Sequence, residues 1–206
     1  MKFLKLALLI QAVVLFPLGS LTASAAAPTP EPVKDWSSVE EITAGIEFKL
    51  VPENGEVTYG PNFATSDKAL SDNFSEIYLT RLIDHEGQDH YALYITAQYN
   101  DTDWRSYENA ANRRGGKLPL VTLSKKENVC EDKPTCRYEE RLAIPLSFLY
   151  FFDGSTIGLD LTITGNTTSQ INLPIAYFKA MMQSIPEEDL YDIVETEKKF
   201  LESKKK

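Results

Sequence analysis

Two alternating segments on either side of a polar turn restrict this chain more than any other feature. Phe74–Ile83 (FSEIYLTRLI) and Tyr91–Tyr99 (YALYITAQY) flank the turn DHEGQDH. In the first, Ile77, Leu79 and Arg81 alternate with Tyr78, Thr80 and Leu82. In the second, Tyr91, Leu93, Ile95 and Ala97 share one face. A period of two, with tyrosine, isoleucine and threonine enriched, marks strands buried on one side. The glycine and carboxylates between them supply turn chemistry, so the pair reads as an antiparallel hairpin. Such a hairpin must cover its apolar face with further strands or helices.

The rest of the chain supplies both. Ile42–Val51 reads as a strand, and PENGEVTYGPN behind it as turns. Trp104, Tyr107, Ala110 and Ala111 recur at helical spacing after the capping residues Asn100–Asp103, and Gly115-Gly116 ends that segment. A second hairpin runs from Lys117–Val129 to Arg137–Ile144. Pro145–Phe152 is apolar and fits either a helix or a strand. Gly158–Thr164 and Ser169–Leu173 are strands about a Gly-Asn-Thr-Thr turn. Ile175, Phe178, Met181, Met182 and Ile185 form a helical stripe behind Pro174, and Ser184-Ile185-Pro186-Glu187 restarts a second helix. The expected fold is therefore α+β: an antiparallel sheet of about six or seven strands, a short inserted helix and two C-terminal helices. The alternative is a β-sandwich with appended helices.

The N-terminus bears on location. Lys2 and Lys5 precede the apolar run Leu6–Leu18, and Ala23-Ser24-Ala25 offers small residues to a signal peptidase. This is the layout of a secretory leader, with cleavage expected after Ala25. Residues 26–35 form a Pro-rich linker, and residues 36–206 a single domain. Loss of Lys2 and Lys5 makes a net charge of −9 more negative. An acidic surface repels phosphate backbones and anionic lipid, which argues against nucleic acid and general membrane-surface binding. With no second apolar run long enough to cross a bilayer, no stable membrane insertion is expected once the leader is gone. The expected location is periplasmic or secreted.

Chemistry is sparse. Cys130 and Cys136 enclose EDKPT between two strand-like segments. Zinc needs about four ligands in closer pairs, and redox motifs space their cysteines by two residues. A hairpin-stapling disulfide explains both cysteines in an oxidising compartment. His85 and His90, with Asp84, Glu86 and Asp89, are the residues a metal or a hydrolase would use, although polar turn tips are ordinarily just solvated. No Gly-x-Ser-x-Gly elbow and no phosphate-binding loop is present. Trp104, Tyr107, Arg113 and Arg114 make a candidate interaction surface, because these residue types dominate protein contacts.

Taken in order, Trp104, Tyr107, Ala110 and Gly115, then Cys130, Cys136, Tyr138 and Glu139, then Gly158-Leu159, Gly165, Leu173-Pro174 and Tyr177 resemble small exported or lipoprotein-like proteins of Gram-negative bacteria, a group without assigned function. The resemblance spans about half the chain, Tyr94–Ile185, and implies an envelope location and an α+β body. The leader departs from lipidated members in lacking an acceptor cysteine. The expected role is a non-enzymatic binding module without a cofactor, its partner an envelope protein or other envelope component. The alternative is a hydrolase or metal-dependent enzyme using the His85/His90 hairpin.

Overall fold

The computed structural model describes residues 32–51, 55–128, 130, 135–187, 189–190 and 193–195. The expected leader and cleavage site, most of the expected linker, the tip of the cysteine turn and the end of the C-terminal segment lie outside the described residues. Ten strands in two antiparallel sheets and five short helices make an α+β fold among those described.

The six-stranded sheet has the order β1-β2-β3-β4-β8-β7. Its strands are β1 (Glu47–Val51), β2 (Gly55–Tyr59), β3 (Phe74–Ile83), β4 (Asp89–Asp101), β7 (Val121–Asn128) and β8 (Cys136–Leu146). Both expected hairpins are present, with Ile77 opposite Ile95 and Lys126 opposite Glu139. The four-stranded sheet, order β10-β9-β5-β6, contains β5 (Asn109–Asn112), β6 (Lys117–Leu118), β9 (Leu159–Thr164) and β10 (Thr168–Leu173). Two sheets thus replace the single sheet of six or seven strands, because the segment around Ala110 pairs with β9.

That segment is the main correction. The helix expected over Trp104–Ala111 does not form. Residues 102–108 follow an irregular path, and β5 then begins at Asn109. The cause is Glu140 of β8, whose buried carboxylate accepts the backbone N–H groups of Ser106 at 3.0 Å and Tyr107 at 3.3 Å. Ser106 takes the left-handed conformation, φ 48°, which turns successive N–H groups toward one anion. Gly165 lies against this loop so closely that a Cβ there would stand 2.0 Å from the Ser106 carbonyl oxygen.

A second correction concerns Ile42. It belongs to α1 (Val39–Ala44), not to a strand, and β1 starts only at Glu47. Ser38 accepts the Glu41 N–H, while the Glu41 carboxylate takes the N–H groups of Lys34 and Asp35. This is helix-start chemistry at the Ser-x-x-Glu spacing. A 3-10 turn (Phe63–Ser66) and α2 (Lys68–Ser71) follow β2. The ambiguous segment after β8 resolves as α3 (Phe148–Ile157), capped by Ser147. The closing stripe is α4 (Ile175–Gln183), and the described residues from Glu187 to Glu195 are helical.

The core lies between the sheets and the helices. Ile77, Leu79, Leu93, Ile95 and Ile144 from the large sheet meet Phe151 of α3 and Tyr177 and Phe178 of α4, all essentially without solvent contact. Full burial of each such side chain stabilises by about 1.5–3 kcal/mol. Gly154 admits α4 against α3, since a Cβ there would sit 2.4 Å from the Phe178 ring.

Candidate functional site

The residues singled out in sequence separate in space. Trp104 is half-buried against Tyr138, ring centroids 4.6 Å apart, with the Lys125 ammonium over its ring. Tyr107 is fully buried, and its hydroxyl meets Ser169 at 2.7 Å, so it belongs to the core and not to an interaction surface. Only Arg113 and Arg114 stand in solvent, on the β5–β6 turn, with Arg113 3.5 Å from Asp160. Without the helix, nothing places the four on one face.

The hairpin tip is likewise local chemistry. Asp84 accepts the N–H groups of Glu86 and Gln88 through one oxygen and meets His90 Nε2 at 2.7 Å through the other. The bond to His90, then the backbone N–H groups, hold the Asp84 carboxyl below the usual aspartate range. Asp89 turns away to pair with the buried Arg81, which also reaches Asp189 at 3.1 Å and so ties the C-terminal segment to β3. Among the described residues, the metal-type ligands that converge are Glu127, Cys130 and Cys136. The two cysteines form the expected disulfide, Cα atoms 4.7 Å apart.

The buried Glu140 is the densest polar centre. Tyr99 donates its hydroxyl to Oε1, and Lys125 Nζ lies 3.4 Å from Oε2. Burial first, and the hydrogen bond to Glu140 second, push the Tyr99 hydroxyl upward. The Arg105 N–H binds that same hydroxyl, and the Arg105 guanidinium stacks over the Tyr99 ring. Every group here is engaged by the protein itself, and the cluster reads as an organiser of the loop.

The opposite side of the large sheet is built differently. Alternation sends Tyr78 and Glu76 of β3, Tyr94 and Thr96 of β4, Arg141 of β8 and Tyr59 of β2 to the face away from the core. Register sets Tyr78 directly across from Tyr94, and Glu76, Thr96 and Arg141 in the neighbouring row. The Tyr59 and Tyr78 rings meet edge to face at 6.2 Å, and Lys49 sits over Tyr59. Tyr94 is 40% exposed. Among the described residues, none of these three tyrosine hydroxyls has a hydrogen-bond partner. Burial, then the carboxylates of Glu76 and Glu47, raise the Tyr78 hydroxyl, which keeps it a neutral donor.

These side chains border an open groove of about 640 Å³ that continues past Gly60, Pro61 and Asn62 to Trp36 and Val33. Its volume is within the usual range for ligand sites, about 300–1,000 Å³. Sequence reasoning passed over this face because a tyrosine on the polar side of a strand is ordinary. The available signal was symmetry: folding the hairpin about Glu86 brings Tyr78 opposite Tyr94. Comparisons with protein-family models, curated proteins and solved structures gave no match.

Proposed function

We propose that this protein is a non-enzymatic binding module of an extracytoplasmic compartment, and that the tyrosine-bearing face of its large sheet is the binding surface. The observation that carries the reading is the set of Tyr59 and Tyr78, half-buried, and Tyr94, exposed, all with unused hydroxyls, along an open groove. Aromatic side chains supply much contact area at small entropic cost, and their hydroxyls give orientation. The disulfide and the absence, among the described residues, of a helix long and apolar enough to cross a membrane are compatible with the exported location. The resemblance to small exported proteins of Gram-negative bacteria supports the same compartment. The dyad Asp84–His90 orients an imidazole, but the neighbouring polar groups serve the turn, so it adds no support to a hydrolase.

Site-specific photo-crosslinking in the native host tests the surface. A photoreactive residue replacing Tyr94 should give discrete adducts, whereas the same residue replacing Gln170, exposed on the small sheet, should not. Equal labelling from both positions, or none from Tyr94, removes this face from consideration. N-terminal sequencing of the exported chain should begin at Ala26; an intact Met1 in the mature fraction contradicts the location.

A further inference from the structure

The groove's charge pattern narrows the chemistry of its ligand. Glu47 and Glu76 are balanced by Lys49 and Arg141, and each is already engaged. Lys49 binds Glu47 at 2.7 Å, Arg141 Nε binds Glu139 at 3.0 Å, and Glu76 accepts the Thr96 hydroxyl at 2.7 Å. An anionic ligand would have to displace Glu139 from Arg141, whereas a cationic one would find Glu47 paired with Lys49 and only Glu76 without an ion pair among the described residues. One carboxylate set against Lys49 and Arg141 on the same groove is no strong cation site, and the lining charges cancel, two against two. The ligand that fits is neutral.

It is also not purely apolar. A hydrocarbon over this face would desolvate the hydroxyls of Tyr59, Tyr78 and Tyr94 without replacing their hydrogen bonds, which disfavours it. The groove therefore asks for an apolar face to lie on tyrosine rings and an edge of polar groups to meet hydroxyls. Two chain-like ligands have such faces, an oligosaccharide and a polyproline-type peptide. The acceptors separate them. Glu47 and Glu76 border the groove as carboxylates, which take hydrogen bonds and give none. A proline backbone has carbonyl acceptors but no N–H to offer. Sugar hydroxyls both donate and accept, so they can meet carboxylates and tyrosine hydroxyls together.

We propose that the tyrosine groove binds a neutral oligosaccharide, with its sugar rings against Tyr78 and Tyr94 and its hydroxyls donating to Glu76 and Glu47. This rests on the reading of the face as the binding surface and adds the ligand class. The groove's openness along the sheet suits a chain crossing the strands better than a single ring.

Calorimetric titration of the purified full-length mature chain tests it, with the β-1,4 tetramers of N-acetylglucosamine and of glucose, a tetramer of α-1,4 glucose, and a proline decamer as comparator. Saturable binding of a sugar tetramer is expected, weakened roughly tenfold by Tyr94→Ala and by Tyr78→Ala, about one aromatic contact each. Glu76→Leu, which keeps the aromatic rings but removes the acceptor, should weaken it as well. Binding of the decamer with none of the sugars overturns the ligand class while leaving the surface standing. Binding of a sugar that both tyrosine variants leave unchanged overturns the site. No binding of any sugar tetramer by the wild-type protein at the highest soluble concentration overturns the inference without recourse to variants.

Discussion

The same three strands carry two opposite treatments of polar side chains. On the inner face, Tyr99 and Glu140 are buried with their hydrogen bonds used by the protein: a backbone loop, a lysine and one another. On the outer face, Tyr78 and Tyr94 keep their hydroxyls unused and their rings partly open. Residues a single position apart along a strand thus fall into different regimes. A polar group that is wholly satisfied inside the fold has nothing left for a ligand, and its loss is felt as stability. One that is left unsatisfied at the surface contributes little to stability and is available for recognition. Density of polar contacts therefore marks the inner face and not the face proposed for binding.

The contrast predicts its largest effect at Glu140. Truncation by Glu140→Ala strands the N–H groups of Ser106 and Tyr107 and the Tyr99 hydroxyl in a buried site, and takes the partner from the exposed Lys125 ammonium. Removing one partner of a buried charged network costs about 3–5 kcal/mol, and urea denaturation should show a loss of that size. Glu140→Gln keeps one acceptor oxygen and should cost clearly less. A loss below about 1 kcal/mol for the alanine variant would mean that the loop is held from elsewhere, for instance by Asn166, which binds the carbonyls of Trp104 and Arg105.

Next comes Tyr177. Its hydroxyl accepts the Leu79 N–H at 3.1 Å and donates to the Pro61 carbonyl at 2.6 Å, so Tyr177→Phe leaves a buried donor and acceptor unpaired. A loss of about 1–3 kcal/mol is expected in the same denaturation experiment. Burial raises Tyr177, Tyr99 and Tyr91 above the ordinary tyrosine range. The folded protein then holds these protons more tightly than the unfolded chain. Their contribution is complete below about pH 10, where unfolded tyrosine begins to ionise, and declines as pH rises beyond it. Alkaline titration followed by tyrosinate absorbance and circular dichroism should show the inner tyrosines ionising only together with unfolding. Ionisation of all tyrosines while the dichroism stays native would contradict their burial.

The disulfide lies near the same rank. It closes a short loop between β7 and β8, worth about 2 kcal/mol in the chain-entropy account. Reduction loosens the strand that brings Lys125 to Glu140, so Cys130→Ala/Cys136→Ala should lower stability by about that amount. The tyrosine row on β3 and β4 should keep its ligand. Loss of binding upon reduction would show that β7 and Leu123 matter more to the groove than Tyr78 and Tyr94 do.

How much of this could be read from sequence follows from the range of the interactions. The hairpins were legible because alternation and turn residues are local, and Phe74–Ile83 and Cys136–Leu146 sit close to their expected positions. The cysteine staple was legible because spacing and neighbours excluded its rivals. The Trp104–Ala111 segment was not, because its conformation is imposed by a carboxylate more than thirty residues away. No periodicity records that Glu140 will capture two N–H groups, and the apparent helical spacing of Trp104, Tyr107 and Ala110 arises in a loop followed by a strand. The expectation over Ile42 failed for a more local reason, since Ser38 and Glu41 already spelled a helix start. The tyrosine face was written in the sequence one residue at a time. It became a surface only with the register between β2, β3, β4 and β8.

The smallest effect on stability is expected where binding is expected to change most. Tyr94 projects from the outer face without a hydrogen-bond partner among the described residues, so Tyr94→Ala should shift stability by no more than about 0.5 kcal/mol. Tyr78 loses an edge contact with Tyr59, worth about 0.5–1.5 kcal/mol, and Tyr78→Ala should fall in that range. Neither should alter the circular dichroism, because the sheet's hydrogen bonds and its inner face are untouched. If Tyr94→Ala instead destabilises as strongly as Tyr177→Phe, the outer face is a second core surface that some part of the chain covers, and its exposure is no argument for recognition. If stability holds while ligand capture falls, the two faces have divided their work as the hydrogen bonding indicates: the inner one builds the molecule, and the outer one meets its partner.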